Sequence, residues 1–275
     1  MSTTMTAEQR TALPPARTES EPRSFGLIRH SLVMAKRSVL TMRRTPEQFF
    51  DVTFQPIIFL VMFVYLFGGA IAGSTNDYLQ FILPGIMVQT VLFSSMTIGV
   101  NLNTDIAKGV FDRFRSLPIA RSAPLIGAVL GDVVRYVISI VVLLVVGSIM
   151  GFRIHTNPFE ALLGCLLVVL FALCLCWIAV VIGMLVRSAG AVQGLSFGLM
   201  FPLTFGANLF IQTDTLPGWL QAWVKVNPVS HLVDAVRGLM QGGAVLEPTR
   251  WTLGWSAVLL AVLFPLAVRG YRRKA

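Results

Sequence analysis

Two ionisable side chains, Asp132 and Arg135, stand well inside an apolar stretch of this 275-residue chain. Three apart on a helix, they meet on one face, and the chemistry open to them is a mutual ion pair or a proton relay of the kind that drives ion-coupled transport. A lone pair makes a thin relay, because such transporters string several carboxylates or histidines through the membrane. Phosphate chemistry is missing. The four lysines are followed by Arg37, Gly109, Val226 and Ala275, so no Gly-Lys-Ser/Thr closes a phosphate-cradling loop. His30, His155 and His231 are scattered, with no His-Glu-x-x-His, and no Gly-x-Ser-x-Gly occurs, so hydrolytic sites are not supported. Cys174 and Cys176 turn roughly 200° from each other on a helix and cannot share a metal. The sequence therefore assigns no catalytic residue, metal site or cofactor to this chain.

Other residues suit binding rather than catalysis. Gln55, Gln89, Phe197, Phe201, Thr204, Phe205 and Asn208 combine aromatic area with a few hydrogen-bonding groups, a lining for a large amphipathic molecule. The same polar groups would also serve as bonds between neighbouring helices. Gly190, Gly194 and Gly198 recur every four residues, as do Gly127/Gly131 and Gly147/Gly151. Each such ridge admits a second backbone, either within the subunit or, for the Gly190 ridge, across a dimer axis. From Asp105 to Ile119 a polar stretch places Val110, Phe114 and Leu117 at i, i+4 and i+7, with Lys108, Asp112 and Arg115 on other faces and Pro118 as the stop. That is a short amphipathic helix, lying on lipid headgroups or docking into a partner.

The elements that must position these residues follow from composition. Hydrophobic residues make up 55% and charged residues 13%, about half the charged share of a soluble domain, so lipid is part of the solvent. Six apolar runs, at about 53–72, 79–102, 124–150, 160–186, 190–211 and 251–269, each approach the roughly 20 residues that cross a bilayer as a helix. They are continuous rather than alternating, which favours helices over barrel strands. The predicted fold class is an all-α polytopic membrane protein. Residues 1–23 read as a disordered cytoplasmic tail, 24–46 as a basic amphipathic interfacial helix, and 47–273 as the transmembrane domain. No cleavable signal peptide is indicated.

The net charge of +9 would suggest nucleic acid in a soluble protein. Here its placement decides otherwise. Seventeen of the 22 Lys and Arg fall before the first run, in the second and fourth connections or in the tail; only Arg153, Lys225, Arg237 and Arg250 lie in the opposite connections. The bias puts both termini in the cytoplasm and leaves no need for nucleic acid as a partner. Between Gln212 and Arg250 lies a long connection, partly apolar, with Trp219 and Trp223 on one helical face. Asn227-Pro228 divides it and Gly242-Gly243 ends it, which predicts a re-entrant or interfacial helix pair at the outer leaflet.

The run Lys108-Gly109 through Asp112-Arg113-Phe114-Arg115-Ser116-Leu117-Pro118 resembles the cytoplasmic signature of type-2 ABC (ABC-2) export permeases, most closely their daunorubicin/doxorubicin-resistance branch. Leu66-Phe67-Gly68-Gly69, Leu83-Pro84-Gly85-Ile86 and the segment from Asn227-Pro228 to Gly238-Leu239 match in the same order. The resemblance covers about Arg43 to the C-terminus. Ala107 and Val110 depart from the acidic residue and Thr commoner in the wider family. It implies a six-helix permease subunit of a bacterial plasma-membrane exporter, working as a dimer with a second copy of the same chain, and two copies of a separate ATPase that carries ATP and Mg. The helix before span one would be the connecting helix and Asp105–Leu117 the coupling helix, with Gly109, Asp112, Arg113, Phe114, Arg115 and Pro118 coupling to the ATPase. The implied function is efflux of a hydrophobic or amphipathic antibiotic by alternating access. Export of polysaccharide or lipid, ion-coupled transport through Asp132/Arg135, and a structural membrane scaffold are the other readings.

Overall fold

The computed structural model describes residues 46–109, 123–211 and 213–274, with backbone alone at 46–52, 72, 123–125 and 271–274. The tail, the expected connecting helix and the coupling residues Asp112, Arg113, Phe114, Arg115 and Pro118 lie outside the described residues; Gly109 lies at their edge, with φ +66°. All regular structure among the described residues is helical: α1 (Pro46–Ala72), α2 (Thr75–Ala107), α3 (Ala123–Met150), α4 (Pro158–Leu185), α5 (Ala189–Phe205), α6 (Gly218–Val226), α7 (Pro228–Gln241) and α8 (Leu246–Lys274), with a short 3₁₀ turn at Thr213–Thr215. Five of them, α1, α2, α3, α4 and α8, are long and apolar enough to cross a membrane.

Helix α2 is the hub. It packs against α1, α3, α4, α5 and α7, and it is the most buried of the five long helices. Its closest neighbour is α4, and the reason is a pair of glycines. A Cβ on Gly99 would lie 2.3 Å from the Ala179 carbonyl oxygen, and one on Gly183 would lie 2.5 Å from the Gly99 oxygen. The two backbones touch, which is the small-residue packing that lipid favours. One turn further, Asn103 is buried and its side-chain amide donates to the carbonyls of Gly183 at 2.9 Å and Val186 at 2.7 Å. It thereby satisfies carbonyls that the end of α4 would otherwise leave bare.

The connection between α5 and α8 divides as its sequence requires. Asn227 ends α6 and caps α7, its side-chain oxygen accepting from the Val229 N–H, with Pro228 at the first helical turn. Gly242, at φ +90°, stops α7. The two helices differ in surroundings. α6 keeps Trp219 and Trp223 exposed, whereas α7 buries Val229, Leu232, Val233, Val236 and Met240 in the bundle.

The expected run at 190–211 is a helix only as far as Phe205, 17 residues in all. Beyond Gly206 the chain is irregular, yet Ala207, Asn208, Leu209 and Phe210 are buried. Buried irregular backbone must find partners within the protein, and here it does. Arg237 of α7 donates to the carbonyls of Asn208 (2.8 Å) and Leu209 (3.0 Å) through Nη2, and to Phe81 (3.0 Å) through Nε. The Tyr78 hydroxyl donates to the Phe210 carbonyl at 3.2 Å. The guanidinium also lies 3.7 Å over the Phe81 ring and 3.6 Å from Asp234, whose carboxylate accepts from the Asn208 amide at 2.7 Å. Burial pulls the Arg237 guanidinium down to about 10, partly offset by Asp234, so the cation persists at neutral pH. Burial likewise pushes the Asp234 carboxyl up, against the Asn208 bond and Arg237.

Candidate functional site

Helix α5 carries three rows at spacing four. Val192, Ser196, Met200 and Thr204 are buried in the bundle. Gln193, Phe197, Phe201 and Phe205 form the next row and wall a cavity of about 630 Å³. α1 contributes Gln55, Pro56 and Phe59, and α2 contributes residues from Gln89 to Val100, including Thr90, Phe93, Ser94 and Thr97. The third row, Gly190, Gly194 and Gly198, faces open space: a Cβ at any of the three would meet nothing within 4 Å.

One cation enters this mostly apolar wall. Arg135 of α3 lines the cavity while being only 5% exposed. Its Nη1 stands 3.6 Å from Asp132, the i, i+3 pair expected from the sequence, and its Nη2 contacts Thr97 Oγ1 at 3.4 Å. Arg135 Nε and Asp132 Oδ2 have no hydrogen-bond partner.

Aromatic rings connect this cavity to a second one. Phe93, Phe197, Phe201, Phe205, Phe210 and Phe63 follow one another at centroid separations of 4.3–5.7 Å. The second cavity, about 270 Å³, is lined by Phe63, Phe67, Tyr78, Phe210, Leu216 and Leu220 among others, and Phe205 belongs to both walls. The larger space is walled by the second half of α2, and the smaller reaches Leu220 of α6. An apolar, ring-lined space with a few oriented donors is suited to binding an amphipathic molecule. Among the described residues no cluster of His, Cys, Asp and Glu is placed to hold a metal.

The model of the ABC-2 type transporter family matches residues 29–240. The chain belongs to the ABC-2 type transporter family. Its relatives include the daunorubicin resistance ABC transporter permease protein DrrB1 of Streptomyces coeruleorubidus, 44% identical over 86% of this chain and 84% of the relative. The doxorubicin resistance ABC transporter permease protein DrrB of Mycobacterium tuberculosis is 33% identical over 67% of this chain and 66% of its own length. A probable doxorubicin resistance permease, DrrC, of the same species is 28% identical over 79% of each chain.

In this ABC-2 permease Gln55, Gln89, Phe197, Phe201 and Phe205 meet around the larger cavity. Thr204 and Asn208 do not line it. The Thr204 hydroxyl, fully buried, donates back to the Met200 carbonyl at 2.8 Å, and Asn208 belongs to the Arg237 cluster. Thr204 is one residue, and so about 100° around the helix, from the Phe205 row. From the sequence Arg135 reads as the ion-pair partner of Asp132 or as part of a proton relay, and nothing in the sequence marks it as a wall residue. Arg237 had been counted only as a loop charge, although it repeats the Asp-x-x-Arg spacing of Asp132 and Arg135.

Proposed function

We propose that the chain is the membrane subunit of an ATP-driven drug exporter, moving a hydrophobic or amphipathic compound through the cavities walled by α1, α2 and α5. The relatives named for resistance to daunorubicin and doxorubicin support that substrate class. The observation that carries the reading is the pairing of a ring-walled cavity of about 630 Å³ with a smaller apolar one that shares Phe205. Phe205 is then the partition that a substrate passes when the transporter turns outward.

Six spans complete the subunit, α5 with its buried extension to Phe210 serving as the fifth. Both termini are cytoplasmic, in the plasma membrane, as the Lys and Arg bias requires. The open glycine row Gly190, Gly194 and Gly198 packs against a second copy. Two copies of a separate ATPase dock on the segment around Gly109, Asp112, Arg113, Phe114, Arg115 and Pro118, and supply ATP hydrolysis with Mg.

Reconstitution in proteoliposomes with its ATPase tests the reading. Expected is drug accumulation that requires ATP and is abolished by Phe114→Ala with Arg115→Ala, both subunits still inserting. Transport that follows an imposed proton gradient and ignores ATP would overturn it.

A further inference from the structure

Arg135 has no structural task that accounts for all its donors. A guanidinium within the membrane is costly and is retained where it pairs or works. The ion pair uses Nη1 alone, at 3.6 Å, and Asp132 does not line the cavity. Nη2 reaches only the Thr97 hydroxyl, at 3.4 Å, and Nε reaches nothing. Thr97 itself lines the cavity, so the guanidinium meets the cavity wall beside it, while Nη1 pairs with Asp132 and Nε is enclosed in the bundle. Around it stand Phe59, Phe93, Phe197 and Phe201.

We propose that Arg135 is a specificity-determining residue: the cavity selects aromatic amphipathic molecules that carry an oxygen acceptor, carboxylate, sulfonate or ring carbonyl, which bonds the guanidinium that Arg135 presents to the cavity wall while the ring system packs on the phenylalanines. Asp132 holds the guanidinium in place from behind and leaves the pair neutral overall when the cavity is empty. Gln55, Gln89 and Gln193 supply weaker, uncharged contacts at the rim. This deepens, and rests on, the reading of the cavity as the compartment of the exported molecule.

The test uses two fluorescent probes that differ by one group, 1-anilinonaphthalene-8-sulfonate and N-phenyl-1-naphthylamine, titrated into the full purified chain in detergent with empty micelles subtracted. The wild-type chain is expected to prefer the sulfonate by at least about tenfold, the scale of a charged hydrogen bond. Removing Arg135 alone would strand Asp132, so the variant is the double change Asp132→Asn with Arg135→Gln, which keeps volume and polarity. It should erase the preference while leaving the uncharged probe within about twofold. Phe197→Leu should weaken both probes alike, which places them in this cavity. A double variant that keeps the preference, or loses both probes equally, overturns the proposal, as does binding of both probes unaffected by Phe197→Leu. Binding needs no ATPase. A chain with the Arg135-dependent preference that exports nothing with its ATPase would therefore fail the transport reading and leave this one standing.

Discussion

Replacing Arg237 with methionine keeps the length and apolar volume of the side chain and removes its donors. Three buried carbonyls, those of Phe81, Asn208 and Leu209, then lose their partner, and Asp234 loses its counter-ion. A hydrogen bond from a charged group contributes about 1.5–3 kcal/mol. The three are not additive, because two share Nη2 and all three fall together, and the half-exposed Asp234 adds little, so the loss is nearer that of one or two such bonds, about 3 kcal/mol. For a chain of this size that lowers the melting temperature by roughly 10 °C. The molecule carries its own reporter. Cys174 and Cys176 are buried on α4 and have free thiols, so a thiol-reactive fluorophore reports unfolding of the detergent-solubilised chain as temperature rises. Arg237→Lys should fall between the two, since an ammonium has no planar fork to span Phe81 on one side and Asn208 and Leu209 on the other. An Arg237→Met chain that melts within about 2 °C of the parent would refute the argument that this guanidinium holds the irregular backbone after α5.

Gly99→Ala should lower the melting point by several degrees, because the new methyl meets the Ala179 carbonyl, whereas Gly254→Ala on α8, with open space around it, should leave melting unchanged or slightly raised. Asn103→Leu removes two bonds to the end of α4 and should cost about 1–2 kcal/mol by the same thiol assay. In a chain with Cys165, Cys174 and Cys176 changed to serine, Gly194→Cys should form a disulfide-linked dimer on oxidation in membranes; monomer alone on a denaturing gel would remove the glycine row from the dimer interface.

The long helices were legible because lipid imposes one rule, about 20 apolar residues with every backbone group bonded inside the helix, and α1, α2, α3, α4 and α8 obey it. The segment after Ala189 departs from that rule, and composition cannot register the departure: Gly206 to Phe210 is as apolar as a helix and as buried, but its carbonyls are answered by Arg237 and Tyr78 from segments far away in the chain. The same limit governs the site. Gln55, Gln89 and the phenylalanine row could be read from residue type and spacing, since a row at i, i+4 must share a face. Thr204 and Asn208 could not, because a single residue of rotation, or a helix that ends three residues short of Asn208, turns a wall residue into a bonded one. The two Asp-x-x-Arg pairs carry the lesson furthest. Asp132/Arg135 and Asp234/Arg237 are identical in spacing and each stands at 3.6 Å, yet the second arginine spends its Nε and Nη2 on backbone carbonyls, whereas the first makes no such bonds with Nε and lines a cavity. What separates a structural arginine from a binding one is therefore the set of acceptors around its second edge, and those acceptors are supplied by other helices.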